Sequence, residues 1–227
     1  MDINDKAIVK EYFNNTGFER WRKIYGEDEV NKVQRDIRVG HQQTIDTVIK
    51  WLQADGNLDQ LSICDAGCGV GSLTIPLINA GAKVYASDIS AKMVEEANSR
   101  STILTEAQRQ RLTFATQDLE SLTGEYDTVV CLDVLIHYSE NDIGKMISHL
   151  ASLAKSRLIL SFAPKTFYLT ALKKIGELFP GPSKTTRAYQ HRESDVSRIL
   201  KDEGFEIKRT DMTSTKFYYS RIFEAIR

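Results

Sequence analysis

An aspartate stands at the head of a glycine-rich turn. Residues 61–71 read Leu-Ser-Ile-Cys-Asp-Ala-Gly-Cys-Gly-Val-Gly, so that Asp65 precedes Gly67, Gly69 and Gly71. Glycines let a backbone turn tightly and approach a ligand closely. A carboxylate beside a pyrophosphate adds repulsion, whereas beside the amino group and sulfonium of S-adenosylmethionine it adds attraction. The turn therefore predicts a site for that cationic cofactor.

Two further acids stand where predicted strands end. Asp88 ends the pattern 83–88, 17 residues beyond Gly71, where open α/β folds place an acid on ribose hydroxyls; the alternative is a helix N-cap before Ala91. Asp118 follows the next strand and is placed to accept a hydrogen bond from an adenine amino group. Ligands of such folds lie outside the carboxyl ends of the strands. The predicted cofactor site also includes Ile89, Gln117, Leu119 and Leu132.

Other nucleotide motifs are missing from the turn. The dinucleotide pattern Gly-x-Gly-x-x-Gly needs glycine where this chain has Ser72, and no Gly-x-x-x-x-Gly-Lys loop occurs, which disfavours a dehydrogenase. Methylation of nucleic acid is disfavoured because Leu-Asp-Val-Leu, beginning at Leu132, replaces the Asn/Asp-Pro-Pro-aromatic motif. A net charge of −1 also gives no basic field for nucleic acid.

The elements that must position these residues alternate along the chain. After a region to Asn57, strand-like segments at 61–66, 83–87, 112–116, 126–132 and 157–163 alternate with helix-like segments at 71–80, 91–101 and 141–154. This alternation predicts a doubly wound parallel sheet. A helix at 193–202 and strands at 205–210 and 216–226 then predict a terminal hairpin.

We expect four regions in one sizeable unit of 227 residues. They are an N-terminal helical arm over the cofactor site (1–57), an α/β core (58–163), an inserted lid (164–190) where prolines interrupt the pattern, and a helix with hairpin that completes the core (191–227). The absence of a bilayer-spanning run or a secretion signal predicts a cytoplasmic location. The cysteines lack metal-binding spacing, so we expect reduced core thiols and no metal site.

The chain resembles class I S-adenosylmethionine-dependent methyltransferases. The resemblance rests on the pattern Asp65-x-Gly-x-Gly-x-Gly71, on Asp88, on Asp118-Leu119 and on the stretch from Tyr126 to Asp133, and it covers about residues 58–227. It implies a Rossmann-like sheet of seven strands with helices on both faces and an antiparallel last strand. These motifs say little about the methyl acceptor.

A closer resemblance, to the magnesium protoporphyrin IX methyltransferase family of chlorophyll synthesis, spans nearly the whole chain. It rests on segments such as Phe-Asn-Asn-Thr-Gly-Phe-Glu-Arg-Trp at 13–21, Arg-Val-Gly-His-Gln-Gln-Thr at 38–44, and Cys-Leu-Asp-Val-Leu-Ile-His-Tyr at 131–138. It implies esterification of one porphyrin propionate, release of S-adenosylhomocysteine, and cooperation with the porphyrin-binding subunit of magnesium chelatase. Alternatives are methylation of another small acid or a phenol, and a non-catalytic S-adenosylmethionine or porphyrin carrier.

Two residues are candidates for binding and orienting the substrate carboxylate. A propionate with a pKa near that of Glu, about 4.3, is already ionised at neutral pH, so orientation should matter more than proton removal. His137, near the end of the fourth strand, is expected to keep the propionate ionised and aim it; the alternative is a packed histidine. Tyr25 is expected to close over the cofactor and hydrogen-bond a carboxylate; the alternative is an aromatic helix face.

The predicted lid offers an apolar slot with cations at its rim. Phe167, Tyr168, Leu172, Leu178 and Phe179 supply surface, and Lys165, Lys184, Arg187 and Arg192 supply charge for propionates. His191 is either a ligand of the substrate's magnesium or a hydrated surface residue. The apolar face alternatively contacts a membrane or a protein, which keeps a peripheral, thylakoid-associated location open.

Overall fold

A seven-stranded sheet forms the centre of the molecule. The computed structural model describes residues 3–165 and 188–227. In chain order the strands are β1 (Ser62–Ala66), β2 (Lys83–Asp88), β3 (Leu112–Thr116), β4 (Tyr126–Cys131), β5 (Ala154–Phe162), β6 (Glu206–Ser214) and β7 (Tyr219–Ile226). They lie in the order β3-β2-β1-β4-β5-β7-β6, with β7 antiparallel to both of its neighbours. The expected sheet with an antiparallel last strand is confirmed.

Helices cover both faces of this sheet. They are α1 (Ile3–Asn14), α2 (Thr16–Ile24), α3 (Lys32–Ala54), α4 (Thr74–Asn79), α5 (Ala91–Arg100), α6 (Glu106–Arg109), α7 (Ile143–Leu153) and α8 (Glu193–Asp202). In β5, Leu158 and Leu160 belong to the core beneath α7 and α8, and Ile159 belongs to the core beneath α3 and α4. A strand that is apolar on both sides therefore has both faces buried, as parallel sheets require. None of the helices in the described ranges is long and apolar enough to cross a bilayer.

Several element boundaries differ from the sequence expectations. The helix expected at 71–80 begins only at Thr74, because the residues before it form the glycine-rich turn. The fifth strand begins at Ala154 rather than at 157, and the first strand of the terminal hairpin extends to Ser214 rather than 210. The short helix α6 was missed. Its start is a capping box in which Thr105 and Gln108 bond each other's backbone N–H, a signal that the sequence carries.

The C-terminal end of α3 is tied to the sheet by a network of charges. Glu224 on β7 is fully buried and pairs with Arg157 on β5 and Arg209 on β6. Both guanidinium groups also contact Asp55, which caps α3. A buried carboxylate is tolerated only when it is paired in this way. The network therefore fixes the C-terminal end of α3 relative to the sheet.

We expect Glu224→Gln to lower the free energy of unfolding by about 3–5 kcal/mol, because it removes the fully buried anion that two partly buried guanidinium groups share and leaves them only Asp55. Urea denaturation measures this loss. The matched control is Glu206→Gln on exposed β6, which should change stability by less than about 0.5 kcal/mol. Similar losses in both variants would show that Glu224 contributes no more than a surface charge.

Candidate active site

The glycine-rich turn leaves β1 at the carboxyl edge of the sheet. Asp65, near the end of β1, is 3% exposed, and its carboxylate accepts a hydrogen bond of 2.6 Å from the hydroxyl of Thr74, the first residue of α4. Burial raises the pKa of Asp65 to about 6, with Asp88 adding to the rise and Thr74 opposing it. Asp65 thus joins the strand to the helix across the turn, and it can act on a cation mainly through its charge.

The three glycines of the turn all adopt positive φ. Gly67, at +88°, lies against the side chain of Val134, so that a Cβ there would overlap a methyl of the valine. Gly69, at +52°, has nothing within 4 Å of the place where its Cβ would stand. Gly71, at +81°, packs on Ala97 of α5. Gly67 is thus required for packing, whereas Gly69 leaves open space above the turn for a ligand.

Asp88, at the end of β2, faces this open space. Its two carboxylate oxygens accept hydrogen bonds from the backbone N–H groups of Gly69 (3.0 Å) and Ser90 (2.8 Å). Burial raises its pKa to about 6 despite both hydrogen bonds. The N-cap of α5 is Ser90, whose hydroxyl accepts from Met93, so the alternative role of Asp88 as that cap is wrong. Each oxygen keeps a lone pair for a further donor.

A crevice of 410 Å³ lies beyond Asp88, between α1 and the end of β3. Ile89, Gln117 and Asp118 line it, and Lys6 of α1 pairs with Asp118 at 3.3 Å. Burial raises the pKa of Asp118, but hydrogen bonds from Ser121 and Lys6 outweigh it and lower the pKa from the usual value. An ionised acid at a strand end beside a flat crevice is suited to an amino group of a heterocycle.

Two residues of the predicted cofactor site lie in the core. Leu119 is 5% exposed and packs beneath α7, and Leu132 is 7% exposed and packs on the opposite face. Their side chains can therefore shape the crevice only from below. The structure brings the other predicted residues, Asp65, Asp88, Ile89, Gln117 and Asp118, to the same edge of the sheet.

Asp133, just beyond β4, collects hydrogen bonds from four side chains. It accepts from Nδ1 of His41 on α3 (2.8 Å), from the hydroxyl of Tyr218 (2.8 Å), and from Ser161 and Ser220 on β5 and β7. Its φ of +58° is unusual for a residue with a side chain. Burial raises its pKa, but His41, Tyr218 and Ser161 outweigh burial and lower it. Neither Asp133 nor His41 was predicted from the sequence to have a role in the site.

His137 lies in the short 3₁₀ turn Leu135–His137 that follows Asp133. Its ring packs edge-on against Phe13 of α1 at 5.6 Å, and its Nδ1 is buried with no hydrogen bond among the described residues. Burial lowers its pKa to about 4, against a smaller opposing effect of Asp133. The imidazole is therefore neutral at pH 7. The Nδ1 atom therefore remains available to a further hydrogen-bond partner.

Tyr25 lies at the C-terminal end of α2 and stacks on His41, with ring centroids 4.1 Å apart. Two guanidinium groups fix this helix end. Arg100 donates to the carbonyls of Arg22 and Tyr25, and Arg38 donates to those of Lys23 and Ile24. These are the carbonyls that a helix terminus leaves unpaired. Burial, followed by the charge of Asp133, raises the pKa of Tyr25 well above its usual value, which keeps the phenol protonated.

The interpretation of His191 as a magnesium ligand or a surface residue is wrong. It is 3% exposed, and Nε2 lies 3.1 Å from the carbonyl oxygen of Leu135, in the turn that carries His137. Tyr189 donates its backbone N–H to Ile136 in the same turn. The lid residues Phe167, Tyr168, Leu172, Leu178, Phe179, Lys184 and Arg187 lie outside the described residues.

Two family models match the sequence. One, described as "Magnesium-protoporphyrin IX methyltransferase C-terminus", covers residues 131–227, and the other, "Methyltransferase domain", covers residues 63–157. The chain is 67% identical to the magnesium-protoporphyrin O-methyltransferase of Synechocystis sp., over 99% of this chain and 97% of the relative. It is 59% identical to the chloroplastic magnesium protoporphyrin IX methyltransferase of Arabidopsis thaliana, over 98% of this chain and 71% of the relative.

A solved structure also matches across almost the full length. The crystal structure of magnesium protoporphyrin IX methyltransferase from Synechocystis PCC 6803 with bound S-adenosylhomocysteine has a TM-score of 0.91 and 65% identity. The match covers 98% of this chain and 99% of that chain. The similarity includes the N-terminal helices as well as the sheet.

We expect Gly67→Ala to destabilise the fold by about 2–5 kcal/mol, because positive φ and the overlap with Val134 both add strain. Gly69→Ala is the matched control: it carries the penalty of positive φ without an overlap, at about 1–2 kcal/mol. Urea denaturation of both variants separates these contributions. Equal losses would mean that the contact with Val134 is unimportant.

Proposed function

Because the chain belongs to the magnesium-protoporphyrin O-methyltransferase family, we propose that it transfers the methyl group of S-adenosylmethionine to one propionate carboxylate of magnesium protoporphyrin IX. The products are the monomethyl ester and S-adenosylhomocysteine, in chlorophyll biosynthesis. One observation supports this function above the rest. A single edge of the sheet brings carboxylates suited to a cationic cofactor next to an unpartnered imidazole suited to a substrate.

The residues present fit the cofactor. Asp88 takes the ribose hydroxyls on its remaining lone pairs, and Asp118 takes the adenine amino group in the crevice under α1. The open space above Gly69 allows the cofactor to lie close to the backbone of the turn. Asp65 supplies negative charge below the sulfonium and amino groups without contacting them directly. When bound, the cofactor supplies a methyl carbon on positively charged sulfur.

The protein's own contribution to methyl transfer is orientation. The propionate is ionised at neutral pH, so no proton must be removed before it attacks. Holding two reactants in line can supply about 7–11 kcal/mol, which exceeds what general-base help offers an acid that is already ionised. The neutral His137 donates one hydrogen bond to the ionised carboxylate through its unpartnered Nδ1. Its partner in this clamp is the protonated phenol of Tyr25.

The N-terminal arm excludes water from this edge of the sheet. Ser90, beside the ribose site, donates its hydroxyl to the backbone carbonyl of Phe13 on α1. Lys6 bonds Asp118 across the adenine crevice, and Phe13 covers His137. Exclusion of water strengthens fixed hydrogen bonds and charges at the reacting atoms. We therefore assign residues 1–57 to cofactor enclosure and the segment 164–190 to the porphyrin.

We also propose that the substrate arrives from the porphyrin-binding subunit of magnesium chelatase. A magnesium porphyrin is large and apolar, so direct transfer avoids its release into water. Peripheral contact with a thylakoid surface, in addition to a cytoplasmic pool, would serve the same purpose. Co-sedimentation of the protein with thylakoid vesicles and with the chelatase subunit tests each association separately.

The direct test is incubation of purified protein with S-adenosylmethionine and magnesium protoporphyrin IX, followed by separation of free acid from ester. Ester formation supports the proposal. Cofactor binding without ester supports a carrier, and preferential methylation of a phenol supports the small-molecule alternative. Curated ubiquinone biosynthesis O-methyltransferases, 26% identical to the chain, make phenols the appropriate second substrate panel.

In this assay we expect His137→Ala to lower turnover at least about tenfold while changing cofactor affinity less than about twofold, because His137 orients the acceptor rather than the donor. Calorimetry with S-adenosylhomocysteine measures the affinity. His149→Ala, near the end of α7 at the opposite edge of the sheet, is the matched control and should retain turnover. Unchanged turnover in His137→Ala would remove this residue from the site.

Cofactor affinity should rise with pH. Asp65 and Asp88 both have pKa values raised to about 6, so each is about one-tenth ionised at pH 5 and nine-tenths at pH 7. We therefore expect the Kd for S-adenosylmethionine to fall about tenfold over this range. Asp88→Asn should raise the Kd at pH 7 at least about tenfold and reduce its pH dependence. Asp46→Asn, an exposed acid on α3, is the control, and a Kd independent of both pH and Asp88 would contradict the ribose assignment.

A further inference from the structure

We propose that His41, held by Asp133, binds the reacting carboxylate of the substrate through its Nε2 atom. This inference rests on the proposed methyl transfer and adds to it a second imidazole. His41 and Asp133 are 92 positions apart in the sequence, and their side chains meet at 2.8 Å between Nδ1 and Oδ2. Both are largely enclosed, with 13% and 18% of their side chains exposed.

The surroundings of Asp133 decide which nitrogen of His41 is free. The carboxylate already accepts from Tyr218, Ser161 and Ser220, and the hydrogen bonds it receives keep it ionised. An ionised carboxylate can only accept, so Nδ1 of His41 must carry the hydrogen. Nε2 is then the atom left for a ligand. It takes up a proton from an entering acid or from solvent, and the protonated ring, whose charge the ionised Asp133 compensates, donates its Nε2–H to the carboxylate. No hydrogen bond to Nε2 exists within residues 3–165 and 188–227.

His41 faces a space that a ligand can enter. Together with Tyr25 it lines a cavity of 580 Å³, whose wall also includes Ser72 and Ile75 beyond the glycine-rich turn. The ring plane is fixed on one side by the stacked phenol of Tyr25 and at its edge by Asp133. A side chain restrained from two directions presents its free nitrogen in one orientation. This is the arrangement that an aimed hydrogen bond requires.

Asp133 places His41 beside the other candidate groups. His41 contacts Asp133 directly, Tyr25 stacks on His41, and His137 lies in the turn that follows Asp133 in the chain. Within the described part of the chain, by contrast, the Nδ1 atom of His137 has no hydrogen-bond partner, and the ring packs against Phe13. His41 is therefore the better oriented imidazole. We assign it one oxygen of the propionate, which leaves the other oxygen free to attack.

The methyl-transfer step balances with this assignment. A lone pair of the free carboxylate oxygen forms the new C–O bond to the methyl carbon. The C–S bond breaks at the same time, and the electron pair of that C–S bond stays on sulfur. If the carboxyl group enters protonated, its proton passes to Nε2 of His41, where the ionised Asp133 compensates the new charge. His41 later releases that proton to solvent. No oxidant, metal or further reactant is required.

A matched pair of variants tests this role. In His41→Asn, the amide nitrogen takes the place of Nδ1 and contacts Asp133, but the side chain cannot reach a ligand. In His41→Gln, the longer side chain places its amide group at the position of Nε2. We expect His41→Asn to lower kcat/KM for magnesium protoporphyrin IX at least about tenfold, and His41→Gln to lose less. A merely structural role predicts the reverse order. Gln43→Asn, exposed on the same helix, should retain full activity.

The cofactor carries a carboxylate too, at its amino-acid end, so affinity for S-adenosylhomocysteine is measured in parallel. A Kd within about twofold of the unsubstituted protein shows that each variant is folded and assigns the loss to the substrate. A rise in Kd as large as the loss of kcat/KM would assign His41 to the cofactor and overturn the proposal. Full activity of His41→Asn would also overturn it. Failure of the unsubstituted protein to form ester would instead count against the proposed function.

Nuclear magnetic resonance of ¹⁵N-histidine-labelled, unsubstituted protein removes any dependence on variant folding. The Nε2 resonance of His41 should shift when magnesium protoporphyrin IX is added to protein already saturated with S-adenosylhomocysteine. The resonance is assigned by its absence in His41→Gln. A shift caused by S-adenosylhomocysteine alone, with no change on adding the porphyrin, would contradict the assignment.

Discussion

The ionised carboxylate of Asp133 is the constraint on which the site depends. A largely buried charge must be compensated, and here the compensation comes from α3, β5, β7 and the connection between β6 and β7. The hydrogen bonds that satisfy the charge also fix His41, and through it the stacked Tyr25. The same residue leads into the turn that carries His137. The hydrogen bonds that stabilise the end of β4 therefore also fix the positions of His41 and Tyr25.

A second constraint comes from Asp65 and Asp88, the two acids at the carboxyl ends of β1 and β2. Burial raises the pKa values of Asp65 and Asp88 to about 6, and the charge of Asp88 adds to the rise at Asp65. Each is satisfied mostly by neutral donors, a hydroxyl or backbone amides, rather than by a cation of the protein. The fold thus retains negative charge without neutralising it internally. A cationic ligand is the natural counterion for such an edge.

Sequence patterns predicted the strands, the helices and their topology, but they did not predict contacts between residues that are far apart in the chain. Alternating strands and helices fix the topology, because parallel strands need crossover helices, and acids following strand patterns meet at one edge. Nothing local marks His41, on a helix whose buried face packs on the sheet, as the partner of Asp133. The buried ion pairs of Glu224 with arginines from two other strands could not be predicted from the sequence either. The expected surface location of His191 was wrong, because its burial depends on a contact with the backbone of Leu135, 56 positions earlier in the chain.

The capping of α2 by two arginines has a consequence for how this architecture can be modified. Arg38 and Arg100 donate to successive carbonyls at the end of α2, and Arg100 belongs to the same helix as Ala97, which packs on Gly71. A chain trimmed to start after Tyr25 would remove the carbonyls of residues 22–25 and leave Arg38 only Asp28 and Arg100 only Glu96 as acceptors. Grafting the arm onto another core, or exchanging it between homologues, therefore requires Arg100 of the core as well as Arg38 of the arm.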